Sequence, residues 1–101
     1  MGIRLGTTPK HTITIDLDTS LIQKLKITYA QKDKVILTKY KDDCVLSGNV
    51  VTVQLTQEDT FLFNKQELIQ IQMRVRKTDG NVLGTDVKTV SPKVCLDDEV
   101  L

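Results

Sequence analysis

Apolar and polar residues alternate most clearly between residues 50 and 76. Val51, Val53 and Leu55 are separated by polar residues, and from Ile69 to Val75 every second residue is again apolar. Alternation with a period of two places apolar side chains on one face of a strand and polar side chains on the other. The pattern therefore predicts two amphipathic strands, each with one buried face.

The polar segment between these two strands predicts a single short helical turn near residues 56–60. The hydroxyl of Thr56 and the carboxylate of Asp59, three residues later, can accept hydrogen bonds from each other's backbone amides, as in a capping box. Phe61 and Phe63 follow the turn and are the two phenylalanines of the chain. Their burial is expected to fix this corner to the core.

Shorter alternating segments fill the rest of the chain. They predict strands at His11 to Leu17, Leu21 to Ala30, Val35 to Tyr40 and Cys44 to Leu46. The Asp79-Gly80 pair predicts a hairpin into a last strand from Val82 to Val90, ended by Ser91 and Pro92. A bulge or bend at Gly84 within this strand is the alternative to an uninterrupted one. Strands of this length and spacing predict an all-β fold, an antiparallel immunoglobulin-like β-sandwich of about seven strands.

The length of 101 residues is that of one domain. Residues 1–8 lack periodicity and are expected to form a flexible N-terminal arm or a strand that needs a partner. Residues 9–96 are expected to form the β-sandwich domain, and residues 97–101 an acidic and apolar tail. Val100 and Leu101 are the candidate partner contacts. The alternative is that Val94 and Leu96 finish an edge strand while Asp97 to Glu99 are solvated.

The formal net charge is +1, and basic residues are interleaved with acidic ones along the sequence. This balance predicts neither a nucleic-acid partner nor a membrane partner. Arg74, Arg76 and Lys77 form a small basic stripe, which we interpret as a solvated sheet face, with phosphate binding as the alternative. Because no segment has the pattern of a signal peptide or a membrane span, we expect synthesis in the cytoplasm.

Residues that could carry chemistry are scattered. His11, the single histidine, is interpreted as a surface residue, and Cys44 and Cys95, in apolar segments, as buried free thiols. The acidic pairs lack the spacing of a calcium-binding loop, and the chain has no glycine-rich phosphate loop and no nucleophile elbow. The sequence therefore predicts no enzyme activity, no cofactor and no metal site.

The second half of the chain resembles a family of phage proteins. Its Thr56-Gln57-Glu58-Asp59-Thr60 corner, the strand from Ile69 to Val75 and the Asp79-Gly80 turn are similar to segments of small proteins from tail-gene regions of Gram-positive phages and prophages. The same segments resemble the N-terminal β-sandwich domain of baseplate upper proteins. The resemblance implies a non-catalytic structural or adaptor module, made in the host bacterium and associated with the virion. It would contact copies of itself or another tail or baseplate protein.

The alternative function is a ligand-binding or carbohydrate-binding sandwich that acts alone. Sugar sites usually use exposed aromatic side chains, and this chain has no Trp and two Tyr, Tyr29 and Tyr40. Both tyrosines on one exposed surface would favour this alternative.

Overall fold

The computed structural model, which describes residues 2–93, Cys95 and Val100, contains two β-sheets. The strands are β1 (Gly2–Arg4), β2 (Lys10–Thr14), β3 (Ile22–Gln31), β4 (Lys34–Tyr40), β5 (Cys44–Ser47), β6 (Val50–Gln54), β7 (Ile69–Lys77), β8 (Val82–Gly84) and β9 (Lys88–Lys93). One helical turn, α1 (Gln57–Phe61), and two 3-10 turns, Thr19–Leu21 and Lys41–Asp43, lie between strands.

The two sheets differ in width. The larger sheet has the order β1-β9-β7-β3-β4, with β8 paired to β7 beyond the end of β9, and the smaller sheet has the order β2-β6-β5. Every pairing is antiparallel except that of β1 with β9. The all-β, two-sheet prediction is confirmed, although the described residues form nine strands rather than about seven.

The core lies between the sheets and is built from the apolar positions of the alternating segments. Ile27 and Tyr29 of β3 and Val51 and Val53 of β6 have no exposed surface. Their neighbours in sequence point outward, as the period of two requires. The alternation thus identifies the buried face of both central strands correctly.

Residues 2–5 are docked on the larger sheet, whereas the sequence predicts a flexible arm or a strand that needs a partner. Gly2–Arg4 forms β1, which pairs with residues 91–93 of β9, and the side chains of Ile3 and Leu5 are each only 1% exposed. The Leu5 amide also donates to the Lys93 carbonyl at 3.0 Å. Two buried apolar side chains and a strand pairing hold this segment on the sheet, and the sequence pattern was too short to show it.

Gly6 ends the docked segment in a conformation that favours glycine. Its φ is 78°, and a Cβ atom there would lie 2.9 Å from Cζ of Phe61. Its amide donates to the Thr60 hydroxyl at 2.8 Å, and that hydroxyl donates to the Gln57 carbonyl. The N-terminal segment is therefore tied to the helical turn through the fully buried Thr60.

The last strand predicted from Val82 to Val90 is interrupted after Gly84, where the sequence indicates a bulge or bend, and its predicted end at Ser91 and Pro92 is wrong. The chain instead forms β8 and β9, which pair with different parts of β7, and it leaves the sheet at residues 85–87. There Thr85 satisfies the backbone groups of Met73 that no strand pairs with. Its amide donates to the Met73 carbonyl, and its hydroxyl accepts from the Met73 amide. Strand β9 continues through Pro92, which faces β1 where β9 no longer pairs with β7.

Gln31 at the end of β3 is a buried amide whose hydrogen bonds hold the loop between α1 and β7. Its side chain is 2% exposed, and its Nε2 donates to the carbonyls of Asn64 (2.8 Å) and Glu67 (2.9 Å). Its Oε1 accepts from the Asn64 amide at 2.8 Å. Both ends of the side-chain amide are satisfied, so the loop is fixed by polar contacts instead of apolar packing.

Truncating this amide is expected to destabilise the protein strongly. Gln31→Ala leaves two carbonyls and one amide of the loop without their partner, at a cost of about 2–4 kcal/mol in the free energy of unfolding. Gln23→Ala on the same strand, where the side chain is exposed, is the matched control and should change it by less than about 0.5 kcal/mol. Urea melts of the two variants measure the difference, and equal losses would show that the loop does not depend on Gln31.

Candidate functional site

Charge is distributed unevenly between the strands and the connections. Ten of the 14 basic residues lie in strands of the larger sheet, whereas those strands contain no Asp or Glu. Strands disfavour acidic residues in general, but the smaller sheet, which is also free of them, has one lysine. The formal net charge of the chain is therefore close to zero although the larger sheet is basic, because acidic residues lie in the connections between strands.

Four of these basic residues meet on the outer face of the larger sheet. Lys24 pairs with Arg76 and Lys26 with Arg74 across β3 and β7, while the intervening residues Leu25 and Val75 point into the core. Directly opposed side chains in an antiparallel pair have Cβ atoms about 4.5–5.5 Å apart. We name the set Lys24, Lys26, Arg74 and Arg76 the basic face.

The basic face is electrostatically unfavourable for the isolated fold. Like charges directly opposite one another destabilise a strand pair, and within the described part of the chain none of the four makes an ion pair. Tyr40, opposite Lys26, and Val82, opposite Arg76, are each 56% exposed at its margins. Exposed apolar surface therefore borders the four cations.

The inner side of the larger sheet carries a second polar feature, a hydrogen bond that crosses the core. His11 of β2 and Tyr29 of β3 are joined by a 2.7 Å hydrogen bond between Nδ1 and the phenolic oxygen. His11 is 6% exposed and Tyr29 fully buried, and the ring of Phe63 packs 6.0 Å from that of Tyr29. The interpretation of His11 as a surface histidine is therefore wrong.

The ionisation of this pair determines which atom carries the proton. Burial raises the pKa of the Tyr29 hydroxyl far above its usual range, and the nearby Cys44 and Asp59 raise it further, so the phenol stays protonated. Burial, with the positive charge of Lys88, lowers the pKa of His11, so the imidazole is neutral. We assign Tyr29 as donor to Nδ1, which places the His11 proton on Nε2. This buried nitrogen has no hydrogen-bond partner among the described residues.

The predicted corner forms around Thr56 and Asp59. The Thr56 hydroxyl accepts from the Asp59 amide at 3.1 Å, and the Asp59 carboxylate accepts from the Thr56 amide at 2.9 Å. The same carboxylate pairs with Lys39 at 2.8 Å. Although burial alone would raise the pKa of Asp59, the bonds from Lys39 and Thr56 outweigh it and hold the pKa below its usual value. Phe63 is buried, whereas Phe61 is only half-buried.

The other residues singled out in the sequence do not form a site. Cys44 and Cys95 are free and half-buried, where the sequence predicts buried thiols, and burial raises the pKa of the Cys44 thiol. Val100 lies beside the corner in a shallow depression that Thr56 also lines, and Leu101 lies outside the described residues. Tyr29 is buried while Tyr40 is exposed, so the tyrosines do not share an exposed surface.

Signals for the basic face and the buried histidine were present in the sequence but incomplete. The stripe of Arg74 and Arg76 was visible, but the register that places Lys24 and Lys26 opposite it was not. The burial of His11 follows from its place one period before Ile13 on the inward side of β2. A hydrophobic alternation that begins with a histidine does not by itself show whether that histidine is covered.

Searches of the described residues for two further kinds of site were negative. No group of three or more His, Cys, Asp or Glu side chains that could hold a metal ion occurs among them. No helix in this part of the chain is long and apolar enough to cross a membrane.

Comparisons with protein-family models, with curated proteins and with solved structures give no match to this chain.

The buried histidine predicts a specific pH dependence of stability. Because the pKa of His11 is lower in the folded chain than in the unfolded chain, the unfolded chain binds the proton more readily. The free energy of unfolding should therefore fall as the pH drops below about 6.5, with a slope of at most about 1.4 kcal/mol per pH unit. Urea melts from pH 8 to pH 5 measure it.

His11→Gln is the control for the other titrating groups, because it removes the imidazole and keeps a polar side chain. The difference in stability between wild type and variant should shrink as the pH falls through this range. A constant difference would show that His11 titrates alike in the folded and unfolded chain.

Proposed function

We propose that this protein is a non-catalytic structural or adaptor module that acts through protein–protein contacts. The partner class is another copy of the chain or another phage tail or baseplate protein, with assembly in the host cytoplasm and association with the virion. The basic face is the observation that carries the proposal. Enzyme activity, nucleic-acid binding and membrane binding form no part of it.

Three features of the basic face support a protein partner. Its four cations are aligned in two opposed pairs, so an acidic partner surface would relieve a repulsion that the fold otherwise retains. Tyr40 and Val82 add exposed apolar surface at its margins, which is typical of protein interfaces. The net charge of the chain is also near zero, so electrostatic repulsion between protein molecules is weak and does not oppose their association.

The alternative of a carbohydrate-binding sandwich has less support. Tyr29 is enclosed in the core and holds His11, so it cannot stack on a sugar ring. Tyr40 alone remains on the surface, among cations. A sugar site would need a platform that this surface does not provide.

Co-purification tests the proposal. The tagged chain is co-expressed with the products of the neighbouring genes, and captured complexes are compared at low and high salt. We expect capture that weakens with salt and falls about tenfold or more in the double variant Lys26→Glu, Arg74→Glu, because an acidic partner would then meet acidic side chains.

The control double variant Lys32→Glu, Lys34→Glu makes the same change in net charge at two exposed lysines where β3 turns into β4, away from the basic face, and should retain capture. A chain that captures none of these products and stays monomeric at high concentration by light scattering would contradict the proposal. Binding of single-stranded DNA at physiological salt, lost in the first double variant, would also contradict it and assign the face to nucleic acid.

A further inference from the structure

The outer edge of β2 is a strand edge without a partner in the described chain. The Ile15 amide donates to the Asn49 carbonyl (2.9 Å), and the Leu55 amide donates to the Pro9 carbonyl (3.0 Å). Since bonded residues alternate along an antiparallel ladder, the odd-numbered residues of β2 exchange hydrogen bonds with β6. The backbone groups of Thr12 and Thr14 therefore point away from β6, and within residues 2–93 no backbone group bonds to them.

A cleft between the two sheets runs along this edge. It consists of two adjoining cavities of about 280 and 320 Å³, both lined by Thr14, Met73 and Thr85. The cleft exists because the smaller sheet is only three strands wide and does not reach across the larger one. Ile13 and Ile15, next to the edge, are only partly buried as a result.

The two ends of the cleft differ in charge. The end near the start of β2 is lined by His11, Lys88 and Asp86, and the other end by Asp16 and Leu17. The first end is therefore lined by one ammonium group, one carboxylate and the imidazole of His11, whose Nε2 has no hydrogen-bond partner among the described residues. At the second end the lining residues include an acid and no base.

From this geometry we propose that the β2 edge binds an extended segment of a partner protein, which pairs with Thr12 and Thr14 as a fourth strand of the smaller sheet. The segment is apolar at alternate positions, which fill the cleft, with an acidic residue at the His11–Lys88 end and a basic residue at the Asp16 end. Strand addition obtains affinity from main-chain hydrogen bonds and specificity from side-chain pockets, and this edge offers both. The inference rests on the proposed adaptor function and names its second contact surface.

The other free edges lack this combination. Strand β4 is free along its outer side, but it carries Lys34, Lys39 and Lys41 at or next to its ends, which is how proteins discourage edge pairing. Strand β5 is four residues long. Strands β1 and β8 are shorter still, at three residues each.

A labelled synthetic peptide tests the proposal. The probe has about seven residues, alternating valine and threonine between a terminal glutamate and a terminal lysine. Fluorescence anisotropy should show saturable binding to the full chain. Two further peptides carry N-methyl groups on complementary sets of alternate amides, and one of the two should lose binding because only one edge of the peptide pairs with β2.

Thr12→Pro removes the outward amide of β2 without removing a bond to β6, so an edge strand should tolerate it. It should weaken binding of the unmethylated peptide about tenfold or more. Thr12→Val keeps the amide and should bind as the wild type does, and thermal melts confirm that both variants fold. Lys88→Glu should weaken binding by about threefold, and a peptide whose terminal glutamate is replaced by lysine, with the lysine at the Asp16 end kept, should restore it.

The possible outcomes separate this inference from the proposed function. Absence of peptide binding, equal binding of both methylated peptides or unchanged binding by Thr12→Pro overturns the β2 site. A third outcome is that a small molecule bound in the cleft is displaced by the peptide, while Thr12→Pro leaves peptide binding unchanged. That outcome would also overturn the β2 site and would indicate a ligand pocket. The basic face lies on the opposite side of the larger sheet, so failure of its charge variants to alter capture overturns the adaptor proposal independently.

Discussion

The smaller sheet is narrower than the larger sheet on which it packs, and this difference in width determines where the core lies open. Three strands cover a sheet that is five strands across, so part of the larger sheet's inner side cannot be covered by strands of the smaller one. At one side the helical turn and the residues after it supply cover, with Phe63 buried against Tyr29. Along β2 no described segment covers the larger sheet. The cleft and the free edge of β2 therefore lie side by side.

Polar contacts fix the smaller sheet over the larger one. The hydrogen bond between His11 and Tyr29 joins the two sheets inside the core, and it sets which residue of β2 lies above the centre of β3. The ion pair of Lys39 with Asp59 joins β4 to the helical turn on the other side. Burial of apolar surface is non-directional, so it does not by itself fix how the inner faces of the two sheets are placed on each other. Hydrogen bonds and ion pairs are directional and therefore favour one arrangement.

The sequence predicts features that depend on local pattern and fails where distant segments meet. The strands, the turn at Thr56 and Asp59 and the Asp79-Gly80 hairpin each have a signal within a few residues. The docking of Ile3 and Leu5 depends on a parallel pairing with a strand about 90 residues away, and the basic face on the register of β3 with β7. The immunoglobulin-like label and the phage resemblance describe relationships that local pattern cannot establish.

Backbone hydrogen exchange shows whether the outer edge of β2 is unpaired in the free chain. In the free, monomeric chain the Thr12 and Thr14 amides should exchange at rates near those of an unstructured peptide. The His11 and Ile13 amides, bonded to β6, should be slowed with the rest of the core. Strong protection of all four amides would show that the outer edge of β2 is already paired, and would contradict the proposed binding of a partner segment there.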